Sequence, residues 1–589
     1  MRVAQRTFLV IPVCLLVAAS GGGCDGPRRP GSGANTLADS DGGTTAGTGG
    51  ARAGAAAGGK SGAGAGAGAG TATAGVNGTA GSGGRGGQTA HAGAGAGGKS
   101  GAAGGGGSPS SDPSDDVLER NKRASRDGHF VQPTLTKANA AKFAKDADFA
   151  AAFDGKMWAS PLYVGAGPDG HGAFFAVTTN NDVFALDETT GSQLWMHHLG
   201  DSPTGNGVGC GNIHPLGILS TPVIDVTART IYVAGAIGTS AIARHEVHAL
   251  SLDDGSEREG WPIDVSKIKA GSVTFNSPAQ NQRSALSLVA GKLYVAYGGH
   301  VGDCGDYHGW VVGIDTANPS QVGAWASLSR GDAIWAAGGL ASDGNGVFAV
   351  TGNSTANATL RTETDSEQVV RITGLGSLDR DDKNLYFPTT WRTMDQQDAD
   401  FGANNPVYIT VPGATPANYV AALAKDGHLY LLDSTNLGGM GGHIVDLSIS
   451  SGSMSVRTVP TAYTTSQGTY LAFSTVSGAK CPSGGASGTV MMGVRITKGS
   501  PLKAEVAWCA KYGGGETGPI TTTTDGTQNP LVWFMDQGKL TAVDGDTGES
   551  VWNSGSETCN AIRKWTSPIA VKGRIVVGGD GHLCSWSAR

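Results

Sequence analysis

Histidine, aspartate and tyrosine side chains are concentrated in one short segment, residues 299–310, GHVGDCGDYHGW. A second polar segment, residues 209–215, GCGNIHP, adds one more histidine. Imidazoles beside carboxylates can bind a divalent metal or act as general acid and base. The candidate binding cluster of the two segments consists of His214, His300, Asp303, Asp306, Tyr307 and His308.

The spacing of these groups matches no metal-ligand signature, so no metal ligand is assigned. The competing interpretation is structural: Gly-rich turns and a disulfide between Cys210 and Cys304 would make the loops rigid, and the histidines would only be hydrogen-bonded. We favour the structural interpretation. If the two cysteines are joined, the two loops meet. The acidic run at 395–400, DQQDAD, suggests calcium, but we predict a solvated loop there.

The elements that must position these loops are strands of a long repeat. Residues 183–195, VFALDETTGSQLW, and 540–552, LTAVDGDTGESVW, are near copies, each typical of a strand, a tight turn and a return strand. The position of Asp187 in the first copy, which we call the anchor position, recurs at intervals of 43 to 64 residues, counted between successive residue numbers. The anchor positions are Asp187, Ser251, Asp315, Thr373, Asp433, Thr497, Asp544 and Ser587.

Eight copies of such a repeat predict an all-β fold, a β-propeller of about eight four-stranded blades. The carboxylates present at four anchor positions are interpreted as turn caps. A tryptophan follows most anchors in register and predicts an outer strand that packs between blades. These tryptophans are Trp195, Trp261, Trp325, Trp391, Trp508 and Trp552.

Short proline-containing segments upstream of the anchors predict the innermost strands, because the first residue of a strand need not donate to a ladder. They begin at Ser160, Ser220, Asn405 and Thr566. The chain ends two residues after the last anchor, so we predict that the segment 149–153 supplies the outer strand of the last blade and closes the ring.

Six cysteines lie in the repeat region, an even number that suggests disulfides in an exported protein. The sequence does not fix their connectivity. The repeat register favours one pair within each of two blades, Cys481 with Cys509 and Cys559 with Cys584. It leaves Cys210 and Cys304 as a pair between neighbouring blades.

The pattern LDxxTGxxxW with a Ser/Thr-x-Pro entry strand, together with FDGKMWASPLYV at 153–164, resembles the propeller repeats of quinoprotein alcohol dehydrogenases and of the outer-membrane assembly lipoprotein that shares them. The resemblance covers about residue 149 to the C-terminus and implies the fold more than the function. The enzymes of this family hold pyrroloquinoline quinone (PQQ) in the propeller centre, typically against a tryptophan and beside a disulfide of adjacent cysteines. Their calcium is held by Glu, Asn and Asp.

This chain has no adjacent cysteines, and no Glu/Asn/Asp set can be assigned to it residue by residue. PQQ with calcium is therefore not supported by a complete motif. Some relatives lack the cysteine pair, so a PQQ- or metal-dependent oxidoreductase is the alternative function, with Trp335 as a candidate stacking residue. The favoured function is a surface-tethered binding or scaffold propeller. We expect a monomer with a protein or polysaccharide partner at the cell envelope.

Residues 1–24 are typical of a secretory signal peptide, since Arg2 and Arg6 precede the apolar run 8–19, which is too short to span a membrane. Cleavage after Ser20 would release a soluble protein, whereas lipidation of Cys24 would anchor it to a membrane. We favour the anchored form. The expected location is the cell envelope, as periplasm or outer-membrane surface, or the exterior after secretion.

Residues 25–112 are Gly, Ala, Ser and Thr with almost no aromatic residues, which predicts a disordered linker with a reach on the order of 50 Å. Residues 113–148 form a transition segment, with a short Thr-capped helix predicted over 134–146, and are interpreted as a plug on the propeller rim. Residues 149–589 form the propeller. The net charge of −7, a pI of about 6.0 and the lack of a basic stripe exclude nucleic acid as a partner.

Overall fold

The computed structural model describes residues 115–589 apart from 356–357, 452–455, 457 and 516. The predicted signal peptide, Cys24 and the predicted linker lie outside the described residues. None of the helices formed by the described residues is long and apolar enough to cross a membrane. Eight sheets of four or five strands follow one another along the chain, which confirms the predicted eight-bladed β-propeller.

The strands of each blade run in chain order from the innermost to the outermost. In blade 1 they are Leu162–Val164, Ala173–Val177, Asp182–Asp187 and Gln193–His198, and in blade 2 Val223–Asp225, Thr230–Ile237, Arg244–Ser251 and Ile263–Asp264. In blade 3 they are Ser287–Val289, Lys292–Gly299, Trp310–Asp315 and Val322–Ala326, and in blade 4 Ala341–Ser342, Val347–Val350, Val369–Ile372 and Leu385–Phe387. The second and third strands are almost wholly buried, because both faces of each sheet pack against neighbouring blades.

The later blades follow the same plan. In blades 5 to 8 the strands are Val407–Thr410, Asn418–Leu423, His428–Asp433 and Val445–Ser448; Thr461–Thr465, Gly468–Thr475, Val490–Thr497 and Lys503–Lys511; Ile520–Thr523, Leu531–Asp536, Lys539–Asp544 and Ser550–Thr558; and Ile569–Val571, Arg574–Gly579 and His582–Ala588, completed by Phe143–Lys145. Additional strands are Gln280–Asn281 in blade 3, Gly439–Met440 in blade 4 and His129–Val131 in blade 7.

Two small hairpins and a few helical turns lie outside the blades. The hairpins pair Lys269–Ala270 with Val273–Thr274 and Ala479–Cys481 with Gly484–Ala486. The α-helices are Lys137–Ala140 and Trp391–Gln397, and the 3₁₀ turns are Pro168–Gly170, Val265–Lys267, Ser277–Ala279, Arg361–Glu363 and Asp382–Asn384.

The anchor positions fall at the end of the third strand. Six of the eight anchors are its last residue, Thr373 follows the strand by one residue, and Ser587 lies one residue before its end. In blade 1, Oδ1 of Asp187 accepts hydrogen bonds from the backbone N–H groups of Thr189 at 3.0 Å and Thr190 at 2.8 Å. The anchor carboxylate is therefore a turn cap, as predicted.

The tryptophans of the outer strands join neighbouring blades. The indole N–H of Trp195 donates to the carbonyl of Leu252, one residue beyond the next anchor, at 2.9 Å, and Trp508 bonds Gly545 in the same way at 2.7 Å. Gly548 has φ +75°, and a Cβ on it would lie 2.7 Å from the Trp508 ring. The glycine of the repeat is thus required by the tryptophan that packs on it, which confirms the predicted packing between blades.

Two tryptophans depart from that pattern. Trp391 begins the helix Trp391–Gln397 instead of lying on an outer strand, and Trp261 precedes the short outer strand of blade 2. In blade 4 the helix follows the outer strand Leu385–Phe387, and its first residue, Trp391, is buried.

The outer strand of blade 8 comes from the N-terminal side, but not from the predicted residues. Phe143–Lys145 pairs antiparallel with the third strand, Phe143 opposite Ala588. The predicted segment 149–153 makes only one isolated bridge to that strand, through Ala152 and His582. The position is decided by Phe143, which is buried and stacks on Trp533 of blade 7 with ring centroids 5.2 Å apart.

This pairing also shortens the predicted helix at 134–146. Only Lys137–Ala140 is helical, and its cap is Thr136, whose hydroxyl accepts from the N–H of Asn139 at 3.1 Å. The following residues are extended because ladder pairing with blade 8 outweighs their local helix propensity.

The innermost strands line a central channel. We call the end of the channel where these strands begin the entry face and the opposite end the exit face. Residues 115–131, the channel segment, insert into the channel from the exit face, where Oδ1 of Asp116 accepts from the N–H of Gly165 at 2.7 Å. The segment leaves at the same face, where the N–H of Gly573 donates to Gln132 at 2.7 Å. The segment is a plug, as predicted, but it fills the central channel and does not lie on the propeller rim.

Backbone carbonyls of the channel segment accept hydrogen bonds from successive blades. The acceptor and donor pairs are Val117 with Tyr163, Leu118 with Ile224, Ala124 with Ser342, Ser125 with Tyr408, Asp127 with Ala462 and Gly128 with Thr521. His129–Val131 then extends blade 7 as a parallel inner strand. The channel segment consequently ties together strands that are far apart in sequence.

Two buried arginines complete these contacts. Arg126 donates from Nη2 to the carbonyl of Leu286 at 2.8 Å in blade 3 and from Nε to Leu340 at 2.9 Å beside blade 4. Its Nη1 donates to Glu119 at 3.0 Å. Arg120 donates to Ser567 of blade 8 at 3.0 Å. With these bonds the channel segment contacts all eight blades.

We predict that Arg126→Leu destabilises the propeller strongly, because it leaves buried carbonyls and the Glu119 carboxylate without a donor. The free energy of unfolding should fall by about 3–5 kcal/mol in chemical denaturation. The matched control is Arg244→Leu, which removes an arginine that pairs with Glu246 at the surface. It should cost less than about 1 kcal/mol, and equal effects of the two substitutions would contradict the role given to Arg126.

Ring closure gives a second prediction. Phe143→Ala should lower the free energy of unfolding by about 3–5 kcal/mol, because it removes a buried ring between blades 7 and 8. Lys142→Ala, at an exposed neighbouring position, serves as the control in the same denaturation experiment. If the two variants unfold alike, Phe143–Lys145 does not close the ring.

Candidate functional site

The two polar loops found in the sequence lie together on the entry face. Cys210 and Cys304 form a disulfide, and the N–H of Gly211 donates to the carbonyl of Val301 at 2.9 Å. The other two disulfides, Cys481–Cys509 and Cys559–Cys584, are also the pairs favoured by the repeat register. The loops meet because the connections that follow second and fourth strands all lie at this face.

The six candidate residues do not converge on one point. The Tyr307 hydroxyl donates to Oδ1 of Asp303 at 2.7 Å, and Nδ1 of His308 lies 3.0 Å from the Ser327 carbonyl. His214 is exposed, with Nδ1 3.0 Å from the Thr204 carbonyl, and Asp306 is exposed as well. These contacts make each side chain part of the loop structure.

His300 is the buried histidine of the group. Burial lowers the pKa of His300 to about 4, and its Nε2 has no hydrogen-bond partner. The imidazole is therefore neutral near pH 7. Among the described residues, the one group of three His, Cys, Asp or Glu ligand atoms within reach of a single metal is Cys559, His582 and Cys584, where the two cysteines already form a disulfide.

A cluster of buried carboxylates on the same face was missed by the sequence reasoning. We call it the acidic cluster; its members are Asp332, Asp365, Glu367, Asp395 and Asp400. Four of them are wholly buried and Asp395 is half-buried. They come from loops that precede blades 4 and 5 and from the loop between the second and third strands of blade 4. No local signal in the sequence unites them, because only the packing of the neighbouring blades 4 and 5 brings these loops together.

Asp332 lies at the centre of one half of the acidic cluster. Its carboxylate accepts from the Thr364 hydroxyl at 2.9 Å and from the N–H of Asp365 at 2.7 Å, while Asp365 forms a two-point pair with Arg380 at 2.5 and 2.8 Å. Burial raises the pKa of Asp332 to about 7, against the effect of these donors. The residue also has φ +47°, a strained backbone conformation for a residue other than glycine.

Glu367 and Asp400 form the other half. Burial and then the nearby charge of Asp400 raise the pKa of Glu367 well above its usual range, which favours the protonated form of its carboxyl group. Its Oε2 accepts from the N–H of Phe401 at 3.1 Å, whereas Oε1 is buried without a partner. Gly352 allows this approach, since a Cβ there would lie 2.6 Å from Oδ2 of Asp400.

Lys425 supplies the cation of this half. Its Nζ lies 2.5 Å from Oδ1 of Asp400 and 2.8 Å from Oδ1 of Asp398. Burial would lower the pKa of Lys425, but the two carboxylates raise it above the usual value. The ammonium therefore balances a buried carboxylate with a charge from the protein itself.

The prediction of a solvated loop at 395–400 is wrong. Its first residues belong to the helix Trp391–Gln397, and Asp400 is wholly buried beside Lys425. Burial raises the pKa of Asp395, whose Oδ1 accepts from the N–H of Ser354 at 2.5 Å. The tertiary contacts of blades 4 and 5 decide this, and the composition of the run does not reveal it.

Trp335 borders the acidic cluster. It is half-buried, its indole N–H donates to the carbonyl of Gly299 at 2.8 Å, and a Cβ on Gly352 would lie 2.6 Å from its ring. The channel opening itself is a narrow cleft lined by Trp158, Trp565, Arg283 and Arg120 among others. The Arg283 guanidinium lies 4.3 Å above the Trp565 ring. The entry face thus combines aromatic rings with a cationic channel floor.

No protein-family model and no curated protein matches the sequence. Solved structures do match. The quinohemoprotein alcohol dehydrogenase from Comamonas testosteroni gives a TM-score of 0.58 at 14% identity over 81% of each chain. A europium-containing methanol dehydrogenase gives 0.52 at 15% identity over 78% of this chain and 89% of its own. BamB from Moraxella catarrhalis gives 0.42 at 13% identity over 76% of this chain and 96% of its own.

The alcohol and methanol dehydrogenases show that the chain has the PQQ-type eight-bladed propeller fold. This agrees with the resemblance found in the sequence repeats. At these identities the likeness establishes the fold alone.

Calcium and a quinone do not fit the residues present. The carboxyl groups of Glu367 and Asp400 are both buried, and Oε1 of Glu367 has no hydrogen-bond partner; carboxylate oxygens are the ligands that calcium prefers. However, the Lys425 ammonium is already paired with Asp400, and none of the three disulfides joins adjacent cysteines. The acidic cluster is thus neutralised from within.

The raised pKa of Asp332 makes stability depend on pH. Because the folded state holds this proton more tightly than the unfolded chain, the free energy of unfolding falls as the pH rises from about 4 to 7. We predict that Asp332→Asn removes this part of the slope. The variant should gain up to about 4 kcal/mol relative to the wild type between pH 4 and pH 8.

Chemical denaturation at a series of pH values measures this difference. Ser329→Ala is the control, since it removes a hydroxyl that donates to Asp332 at 2.9 Å and keeps the carboxyl group. For Ser329→Ala, the free energy of unfolding should fall with rising pH at least as steeply as it does for the wild type. Parallel curves for the wild type and Asp332→Asn would show that Asp332 does not titrate in this range.

Proposed function

We propose that the protein is an exported, envelope-tethered propeller that binds a partner protein through its entry face. The observation that carries this proposal is the direction of the N-terminal connection. Residue 115 lies at the exit face, where Lys572 donates its N–H to Asp115 at 3.1 Å. The described part of the chain therefore begins at the exit face, on the side of the propeller opposite the entry-face loops.

Exposed apolar side chains support a protein as the partner. Val301, Leu328 and Leu360 are 54%, 44% and 58% exposed, and all three lie on entry-face loops of blades 3 and 4. These loops are bonded to one another, since the N–H of Leu328 donates to Asp365 at 2.9 Å. Grouped apolar side chains on rigid loops are typical of protein interaction sites.

Export is supported by the three disulfides and by the signal-like N-terminal sequence. The second candidate function is a quinone-dependent oxidoreductase, because quinoprotein dehydrogenases share the fold. Partner binding is favoured over this enzyme function for two reasons. Lys425 neutralises Asp400, and the channel segment fills the channel. The candidate residues His214, Asp306 and His308 belong to the same loop surface and are proposed as polar contacts at its margin.

The test compares apolar positions on and off the entry face. Immobilised full-length protein should retain one partner protein from an envelope extract of the source cells. The double substitution Leu328→Asp with Leu360→Asp should weaken this binding at least about tenfold, which corresponds to 1.4 kcal/mol. Leu194→Asp, at a 41%-exposed position on the outer strand of blade 1, should leave it unchanged.

A partner that survives protease and is lost after periodate oxidation would identify a polysaccharide instead of a protein. Loss of binding with Leu194→Asp, but not with the double substitution, would place the binding site on the blade edges. That outcome would overturn the proposed entry-face site.

A further inference from the structure

We infer that Lys425 is a built-in cation of the entry face, whose ammonium pairs with buried Asp400 and excludes a divalent metal ion from this half of the acidic cluster. This inference concerns the acidic cluster and stands whether or not the apolar loops bind a partner. The fold suggests a calcium site, but the buried carboxylate of Asp400 is already paired with the Lys425 ammonium.

The position of Lys425 is fixed from two sides. Its backbone N–H donates to the carbonyl of Asp400 at 3.1 Å, and its ammonium reaches the carboxylate of the same residue. Only 9% of the lysine side chain is exposed, and the carboxylate of Asp400 is not exposed at all. The ammonium consequently cannot leave the carboxylate without leaving a buried charge unpaired.

A divalent ion would need the same oxygens. Calcium takes carboxylate and carbonyl oxygens at about 2.3–2.6 Å, so an ion bound by Asp400 would occupy the space of an ammonium that lies 2.5 Å from Oδ1. Glu367 is the natural second ligand because its Oε1 is wholly buried and lacks a partner. The lysine and a metal ion therefore exclude each other.

The balance of charge in the acidic cluster also favours the lysine over a divalent ion. Burial raises the pKa of Glu367 and so favours its neutral form, which leaves Asp400 as the buried carboxylate that Lys425 balances; Asp398 is 55% exposed and screened by solvent. A doubly charged ion would require Glu367 to ionise as well. Removing the ammonium should reverse this balance and turn the two buried carboxyl groups into an oxygen site for a divalent ion.

The experiment titrates the full-length protein with Ca²⁺ and with Tb³⁺, whose luminescence can be sensitised by the nearby Trp335. Wild-type protein should show no saturable Tb³⁺ luminescence and no rise in melting temperature with millimolar Ca²⁺. Lys425→Met, which removes the charge and keeps an unbranched side chain one atom shorter, should gain both responses. Adding Asp400→Asn to that variant should abolish them.

The matched control is Lys383→Met. Lys383 also lies between two carboxylates, 3.3 Å from Asp381 and 3.7 Å from Asp379, but it is 53% exposed. This variant should respond to neither ion. A gain equal to that of Lys425→Met would show that loss of any lysine suffices, and it would overturn the inference.

Two other outcomes also overturn it. One is saturable binding of Ca²⁺ or Tb³⁺ by the wild type that is lost in Asp400→Asn. The other is a folded Lys425→Met protein, judged by circular dichroism at pH 5.5 and 7.5, that binds neither ion. Should Lys425→Met not fold, the wild-type titration with its Asp400→Asn comparison decides alone, since the inference requires the wild type to bind no metal there.

Discussion

The rest of the structure depends on the hydrogen bonds that the channel segment makes along the propeller axis. A closed ring of blades leaves the inner strands with backbone groups that face the channel, and unpaired buried backbone groups are costly. The carbonyls of residues 117–128 and the guanidinium groups of Arg120 and Arg126 satisfy part of this demand. The segment enters and leaves the channel at the exit face.

Around this axis the repeat acts through two local devices. The anchor residue caps the turn after the third strand, and the outer tryptophan donates its indole N–H to the same turn of the next blade, as Trp508 does to Gly545. The interfaces built by Trp195 and Trp508 thus use a large ring, a glycine that makes room for it and one directed hydrogen bond. Blades 4 and 5 have no tryptophan on the outer strand, and in blade 4 the extra strand Gly439–Met440 pairs with that strand.

The entry face shows how a fold shared with cofactor enzymes can carry a different balance of charge. Its buried carboxyl groups are satisfied by groups of the chain itself: Arg380 binds Asp365, Lys425 binds Asp400, and Glu367 keeps its proton. Strained positive φ angles at Asp332 and Glu367 show that the surrounding packing over-determines these positions. The loops that hold the acidic cluster also present Leu328 and Leu360 to solvent, so one set of contacts makes the proposed binding surface rigid.

The sequence by itself determined the blade number and the ends of the third strands, because a repeat makes each local pattern count eight times, and the repeat register favoured the cysteine pairs that the structure contains. It also located the loops joined by Cys210 and Cys304. Tertiary structure alone decided the outer strand at Phe143–Lys145, the place of residues 115–131 in the channel and the acidic cluster. These features unite residues such as Glu119 and Arg126 with Leu340, or Glu367 with Asp400 and Lys425, and such contacts follow no local period. Burial and ring closure create them, and neither can be read from neighbouring residues.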